Sequence, residues 1–514
     1  MLNPLQTPKP MPLIATLLDR LRQHRLAPLL ALLLGALTPL SLAPFNCWPV
    51  ALLTLGLFAE LLRGQTVRSG ALRAFCFGFG LWAYGGSWLY VSIHDYGYTP
   101  VWLAIPMVGF VAFVMGQFFT VLGALHARFF SLRGHAAGFI ALFVLGEWLR
   151  SWLFTGFPWL FSGYAFVETP LAGYAPVTGI FGVSLVVLVT ALGLFTLLKE
   201  GVKAWKTALL LVLLWLGGQG LLMLPWTQVS TTPFTVSVVQ GNIPQEDKWQ
   251  DEWRDKTIDI YTKLSSTEWN RDLVIWPEAA LPMFLNEAGD VLDGIDKQAA
   301  AGNAAFVTGI LYAGPGDAVH HYHYFNSIIA LGNGTGMYNK QRLVPFGEYV
   351  PFESLLRGAL PFLDLPMSSF SLGSPDQQPL LVKNHSMAPY ICYEIAYPDL
   401  VRRYAAQADL LATISNDGWF GSSIGPHQHF QMVQMRALET GRQIVSATNN
   451  GISAVVDEKG RITARAPQFK RLVLRANMYP TRGQTPYVVM GNMPVLVLCA
   501  LLLALALRAR RQQG

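Results

Sequence analysis

Long apolar runs dominate this chain and restrict its fold more than any other feature. Hydrophobic residues fill 52% of its 514 positions and charged ones 13%. In hydrocarbon every backbone N–H and C=O must be paired inside the protein, so such runs cross a bilayer as helices. We read eight of them, at 26–43, 48–62, 74–93, 101–124, 136–154, 175–198, 208–226 and 488–507. The first two are short and crowded by Pro39, Pro44 and Pro49, so a helical hairpin is the alternative to two full spans.

Basic residues give the spans a direction. Arg20, Arg22 and Arg25 precede the first; Arg63, Arg68 and Arg73 lie between the second and third. Arg128 and Arg133 follow the fourth, Lys199, Lys203 and Lys206 the sixth, and Arg508, Arg510 and Arg511 the last. The alternate loops, near Cys47, at 95–99 and at 156–174, hold no Lys or Arg. The positive-inside rule then predicts both termini in the cytoplasm and the polar stretch on the opposite side. The expected organisation is seven spans in 1–227, a globular domain in 228–487, and a final span with a basic tail in 488–514. A second span follows the first at once, without a small-x-small site, so the first run is expected to be an uncleaved anchor. The net charge of +6 gathers beside the spans, pointing to anionic lipid head groups and away from nucleic acid.

The polar stretch reads as alternating strands and helices. Runs at 234–240, 273–276, 305–309, 388–392, 410–414 and 443–448 have strand length and composition. Those at 325–331 and 336–338 flank a Gly-rich turn and predict a hairpin, while 251–265, 398–407 and 427–440 have helical spacing. This alternation predicts an α/β domain, in which ligand-binding groups stand at strand ends. Glu278, Cys392 and Asn416 occupy such places. Cys392 is the single cysteine of the region, since Cys47, Cys76 and Cys499 lie in or beside apolar runs, so it has no disulfide partner in its own domain. With Glu278 to take a proton and Lys340 to hold negative charge, it is a candidate nucleophile. Taken singly these residues have bland readings: Cys392 a core thiol, Lys340 a solvated cation, Glu348 a turn cap, Glu394 an ion-pair partner. The blocks around Glu278 and Lys340 favour chemistry.

Those blocks are Val239-Gln-Gly-Asn-Ile243, Trp276-Pro-Glu-Ala-Ala280, the run from Tyr338 to Pro351, Cys392-Tyr-Glu394, the run from Ile414 to Gly421, residues 431–439 and Thr448-Asn-Asn-Gly451. Together they resemble the nitrilase, or carbon–nitrogen hydrolase, superfamily. Its membrane-embedded branch, the apolipoprotein N-acyltransferases of bacteria with two membranes, is similar over essentially the full length. The resemblance implies a polytopic α-helical membrane domain of about eight helices carrying an inserted α/β nitrilase-like αββα sandwich. It implies a triad of Glu278 as general base, Lys340 at the oxyanion and Cys392 as acyl carrier. Glu348, Tyr393 and Glu394 would support it, Tyr393 through its backbone N–H, and Trp249 and Trp419 would meet the acyl chain or a lid. The implied partners are a phospholipid acyl donor and a diacylated apolipoprotein acceptor. The implied enzyme is a monomer of the inner membrane, its catalytic domain in the periplasm, with no cofactor and no metal. The aromatic segment 152–166, with Trp159 and Tyr164, suits an interfacial belt that receives the acyl chain.

Other patterns carry less. His320, His321 and His323 beside Asp317 read as a polar loop before a metal site. His427 and His429 have no Cys or acid at ligand spacing, and Asp417 reads as a turn residue. Gly332, Gly334 and Gly336 lack the Lys-Ser/Thr of a phosphate loop. Glu147 and Arg150, three apart in an apolar run, are expected to pair on one helix face. A transporter would need more intramembrane charge and matched halves. A membrane-tethered amidase would share the triad and differ in using water as acceptor.

Overall fold

The computed structural model describes residues 13–132, 134–316, 321–350 and 370–511. Arg133, Asp317, His320 and Pro351, named above, lie outside them. Each apolar run overlaps a helix: Ala27–Leu37, Pro49–Leu62, Val67–Gly85, Val101–Phe129, His135–Arg150, Ala175–Glu200, Trp205–Met223 and Met493–Arg511. A helix rises about 1.5 Å per residue and the hydrocarbon layer is about 30 Å thick. The 11 residues of Ala27–Leu37 and the 14 of Pro49–Leu62 are therefore short for a crossing. By length and hydropathy, three helical stretches of the described residues qualify as spans: Val101–Phe129, Pro170–Met223 and Met493–Arg511. A fourth is added if Ile14–Gln23 and Ala27–Ser41, bent by 108°, are one span.

Glu147 and Arg150 are buried but do not form the expected ion pair. The loop at Ser162 comes close enough to take the carboxylate, donating to Glu147 Oε1 from its backbone N–H (2.7 Å) and its hydroxyl (3.0 Å). The Arg150 guanidinium lies instead over the rings of Trp82, Phe119 and Phe161, at 5.8, 5.2 and 5.4 Å from their centroids.

The polar region is built from strands β1 (Gln228–Val229), β2 (Phe234–Gln240), β3 (Leu273–Ile275), β4 (Ala305–Pro315), β5 (Tyr322–Gly332), β6 (Gly334–Thr335) and β7 (Met337–Asn339). These are followed by β8 (Leu380–Val382), β9 (His385–Ile391), β10 (Leu410–Ser415), β11 (Ile444–Thr448), β12 (Ala454–Val456), β13 (Ile462–Arg465), β14 (Leu472–Met478) and β15 (Thr481–Arg482). One sheet runs β14-β2-β3-β4-β5-β7 and the other β13-β12-β11-β10-β9-β8-β6, while β1 pairs with β15. Period-two alternation sorts the side chains of the first sheet. Val236, Val238, Leu273, Ile275 and Val307 share one core with Ala388, Tyr390 and Leu411 of the second sheet. Val239, Val274, Trp276 and Phe306 turn the other way into a core that includes Tyr261 of helix Asp251–Ser265 and Ile295 of helix Gly289–Ala301. Helices Pro398–Ala405 and Gly425–Thr440 pack on the second sheet. The result is an αββα sandwich.

Every residue of Gly425–Thr440 except His427 is buried, because the helix is covered on both sides. Its Gln428 accepts from Trp159 Nε1 (2.7 Å). Its Glu439 accepts from the Ile180 N–H (2.6 Å), freed where helix Ala175–Glu200 breaks at Gly179 (φ +66°). Trp159 and Tyr164 are therefore internal and do not form an outward belt, whereas Trp152 is 45% and Phe154 85% exposed.

Candidate active site

Glu278 stands where β3 gives out. Pro277 cannot continue the ladder, and Ala279 turns the chain with a φ of +44°. That turn lies flat on β4 because position 309 is glycine: a Cβ there would come 2.6 Å from the Ala279 nitrogen and 2.7 Å from Glu278 Cα. The Glu278 carboxylate accepts from Asn326 Nδ2 (2.8 Å) through Oε1 and from the Asn416 backbone N–H (2.8 Å) through Oε2. Behind it, Lys248 Nζ donates to the Glu278 carbonyl (3.0 Å).

Lys340 follows β7. Its N–H donates to the Asn326 carbonyl (2.9 Å), extending the β5–β7 ladder by one step. The side chain is 1% exposed, with Nζ 2.7 Å from Glu348 Oε1 and 3.7 Å from Glu278 Oε1. Burial works against this ammonium, but Glu348 and Glu278 outweigh it, so its pKa lies above the ordinary lysine value. Asn326 Nδ2 also donates to Glu348 Oε1 (3.1 Å), bridging the two carboxylates that hold the cation.

Cys392 begins the turn after β9 with a φ of +51°, a conformation that L-residues hold only when their surroundings impose it. The residue as a whole is half-buried. Desolvation, reinforced by the Glu278 charge and opposed by Lys340, pushes its pKa well above the ordinary thiol value. The group therefore rests as a protonated thiol and needs a base to become a nucleophile. Glu394 lies two residues on, fully buried. It accepts from the N–H groups of Ile391 (2.8 Å), Gln341 (2.6 Å) and Arg342 (3.2 Å) and from the Tyr338 hydroxyl (2.9 Å). One carboxylate thus clamps the Lys340 loop to the Cys392 turn. The Tyr393 hydroxyl donates to the Gly156 carbonyl (3.1 Å). Trp249 and Trp419 remain partly exposed, on loops joined through the Gln245–Asn416 side-chain bond (2.6 Å).

Glu278, Lys340, Glu348 and Cys392 are therefore brought together, and Glu394 braces them without touching Lys340. Sequence reasoning missed Asn326 and Lys248, which carry no motif of their own. It also set aside His429 and Asp417, which meet behind Cys392: His429 Nδ1 is 3.3 Å from Asp417 Oδ1, and Nε2 is 3.0 Å from the Cys392 carbonyl oxygen. His323, from the histidine-rich loop, has Nδ1 3.2 Å from Ser371 Oγ.

This architecture has counterparts. Residues 34–193 match the family described as apolipoprotein N-acyltransferase N-terminal domain, and residues 235–487 match carbon-nitrogen hydrolase. The apolipoprotein N-acyltransferase of Pseudomonas paraeruginosa is 45% identical over 493 residues, covering 94% of this chain and 96% of that protein. Proteins of the same name from Pseudomonas syringae pv. tomato and Vibrio vulnificus are 43% and 39% identical, covering 94% and 95% of this chain and 97% and 98% of their own. On this likeness, sustained through both the membrane helices and the sandwich, the chain belongs to the apolipoprotein N-acyltransferase family.

Proposed function

We propose that this protein moves a fatty acyl group from a phospholipid to the α-amine of the N-terminal diacylglyceryl-cysteine of a lipoprotein, by way of a thioester on Cys392. The observation that carries the chemistry is the buried Lys340 ammonium held between Glu348 and Glu278, close enough to Cys392 to act on its charge. Glu278 takes the thiol proton as sulfur attacks the ester carbonyl, and the oxyanion forms against Lys340. Collapse breaks the ester C–O bond, and the Glu278 proton goes to the departing lysophospholipid oxygen. The lipoprotein amine then attacks the thioester, giving a proton to Glu278, and as the C–S bond breaks Glu278 passes that proton to sulfur and returns the thiol. Glu348 is never a base in this scheme; it fixes the ammonium. Water must be kept from the thioester for the amine to win.

The accompanying organisation belongs to the same proposal: about eight crossing segments, the domain at 228–487 in the periplasm, and a monomer in the inner membrane with cytoplasmic termini. Lipid substrates on both sides of the reaction favour a site fastened at the bilayer surface. The test is purified protein with phospholipid and a diacylated lipopeptide, alongside simple amides. The proposal requires an N-acylated lipopeptide and an equivalent of lysophospholipid. Amide hydrolysis without acyl transfer would contradict it.

A further inference from the structure

His429 sits on the long buried helix directly behind the Cys392 turn. Its two ring nitrogens face the Cys392 carbonyl (3.0 Å) and Asp417 (3.3 Å), both of which only accept. The ring can present an N–H to each of them only as an imidazolium. Burial disfavours that charge, but the Asp417 and Cys392 contacts outweigh it and hold the ring's pKa above the ordinary value. The ring is stacked on Trp159, with centroids 6.0 Å apart and planes 8° apart. Asp417 is itself fixed by the Ser415 hydroxyl (2.6 Å), and the Ser415 side chain also meets that of Cys392. A ring of contacts therefore closes around the nucleophile: Cys392 carbonyl, His429, Asp417, Ser415, Cys392 side chain.

A trans peptide group points its C=O and N–H in opposite directions. Tying the Cys392 carbonyl to His429 therefore turns the Tyr393 N–H away from the helix, and it opposes the strain of a φ of +51° at Cys392. We propose that His429, charged and oriented by Asp417, is a positioning residue that sets the Cys392–Tyr393 peptide for acyl transfer, aiming the Tyr393 N–H at the developing oxyanion. This rests on Cys392 being the nucleophile. The groups facing the imidazolium are Asp417 from the turn after β10, the Cys392 carbonyl, Glu278 acting through its charge, and the Trp159 ring.

The experiment follows acyl loading of the full-length protein from phosphatidylethanolamine vesicles as a function of pH. His429→Ala should lose about 10²-fold in loading rate, the scale of a misplaced catalytic group, with KM unchanged. His429→Gln, whose amide still donates to the carbonyl, should recover much of that loss. The Asp417→Asn amide can donate to Nδ1, so the neutral ring keeps its Nε2–H on the carbonyl and the high-pH decline in loading that wild type shows when His429 loses its proton should disappear. Wild-type loading in His429→Ala, no recovery in His429→Gln, or a high-pH decline that persists in Asp417→Asn would each overturn the inference. If His429→Ala does not fold, the other two variants decide. Cys392→Ala separates the two levels. Acyl transfer surviving in it sinks the nucleophile reading itself, whereas its inactivity beside a fully active His429→Ala sinks only the role of His429.

Discussion

A lysine ammonium with 1% exposure is tolerable because two carboxylates surround it, and that fixes what can replace it. Lys340→Arg keeps the charge but substitutes a planar fork for a compact donor, in a pocket already filled. We expect membrane insertion to survive and acyl transfer to fall about 10²-fold, as for loss of an oxyanion donor; near-normal turnover, measured with labelled phospholipid, would show that diffuse positive charge suffices. Glu278→Gln retains the size and the hydrogen-bonding shape of the side chain but not the basicity. Because Cys392 rests protonated, loading should slow about 10²- to 10⁴-fold, the range for loss of general-base assistance. Stopped-time mass measurements of the loaded enzyme check this, and unchanged loading would move the base elsewhere. At this scale the sequence was most readable where polar residues end an apolar strand. It was silent on Asn326, which sits inside a strand, and misleading on His429, whose acid partner is close in space but twelve positions away.

Between elements, Glu394 is the fastening, joining the loop after β7 to the turn after β9. Burial raises its carboxyl from 4.5 to about 7, against the pull of the donors around it. The native state then keeps a proton that the unfolded chain gives up. Stability from this group is present below about pH 4.5 and is lost as pH rises through about 7, by about 1.4 kcal/mol per pH unit of displacement. Denaturation in detergent across that window should show the wild type losing stability with pH more steeply than Glu394→Gln. At the acid end of that window the Gln variant should be less stable by about 1–3 kcal/mol, since its NH₂ must face a backbone donor, and the gap should close as pH rises. Identical slopes would contradict the account. Helix Asp251–Ser265 was legible by its apolar stripe and β2 by its period-two run, while β3, β9, β10 and β11 were legible as short apolar runs of strand length. Helix Gly289–Ala301 was not, with glycines at both 289 and 294 diluting its pattern, and β13 and β14 were not because their half-exposed residues carry little hydrophobic signal.

In the whole molecule, a membrane helix and a catalytic-domain helix share one hydrogen-bonding account, Glu439 answering the Ile180 N–H at the Gly179 break. Sequence periodicity cannot reveal such a tie, since each partner looks unremarkable in its own segment. The arrangement of arginines and lysines was readable, and it yields a prediction: reporters fused at residue 230 and at the C-terminus should register opposite compartments, the terminus cytoplasmic. A cytoplasmic signal from residue 230 would overturn the topology. The central claim is covalent, and intact-protein mass after incubation with phospholipid alone tests it most directly. The account predicts one added acyl group on Cys392, lysophospholipid released in equal amount, discharge by neutral hydroxylamine or by diacylated lipopeptide, and no loading of Cys392→Ala. Acyl transfer to the lipopeptide by Cys392→Ala at an undiminished rate would contradict it.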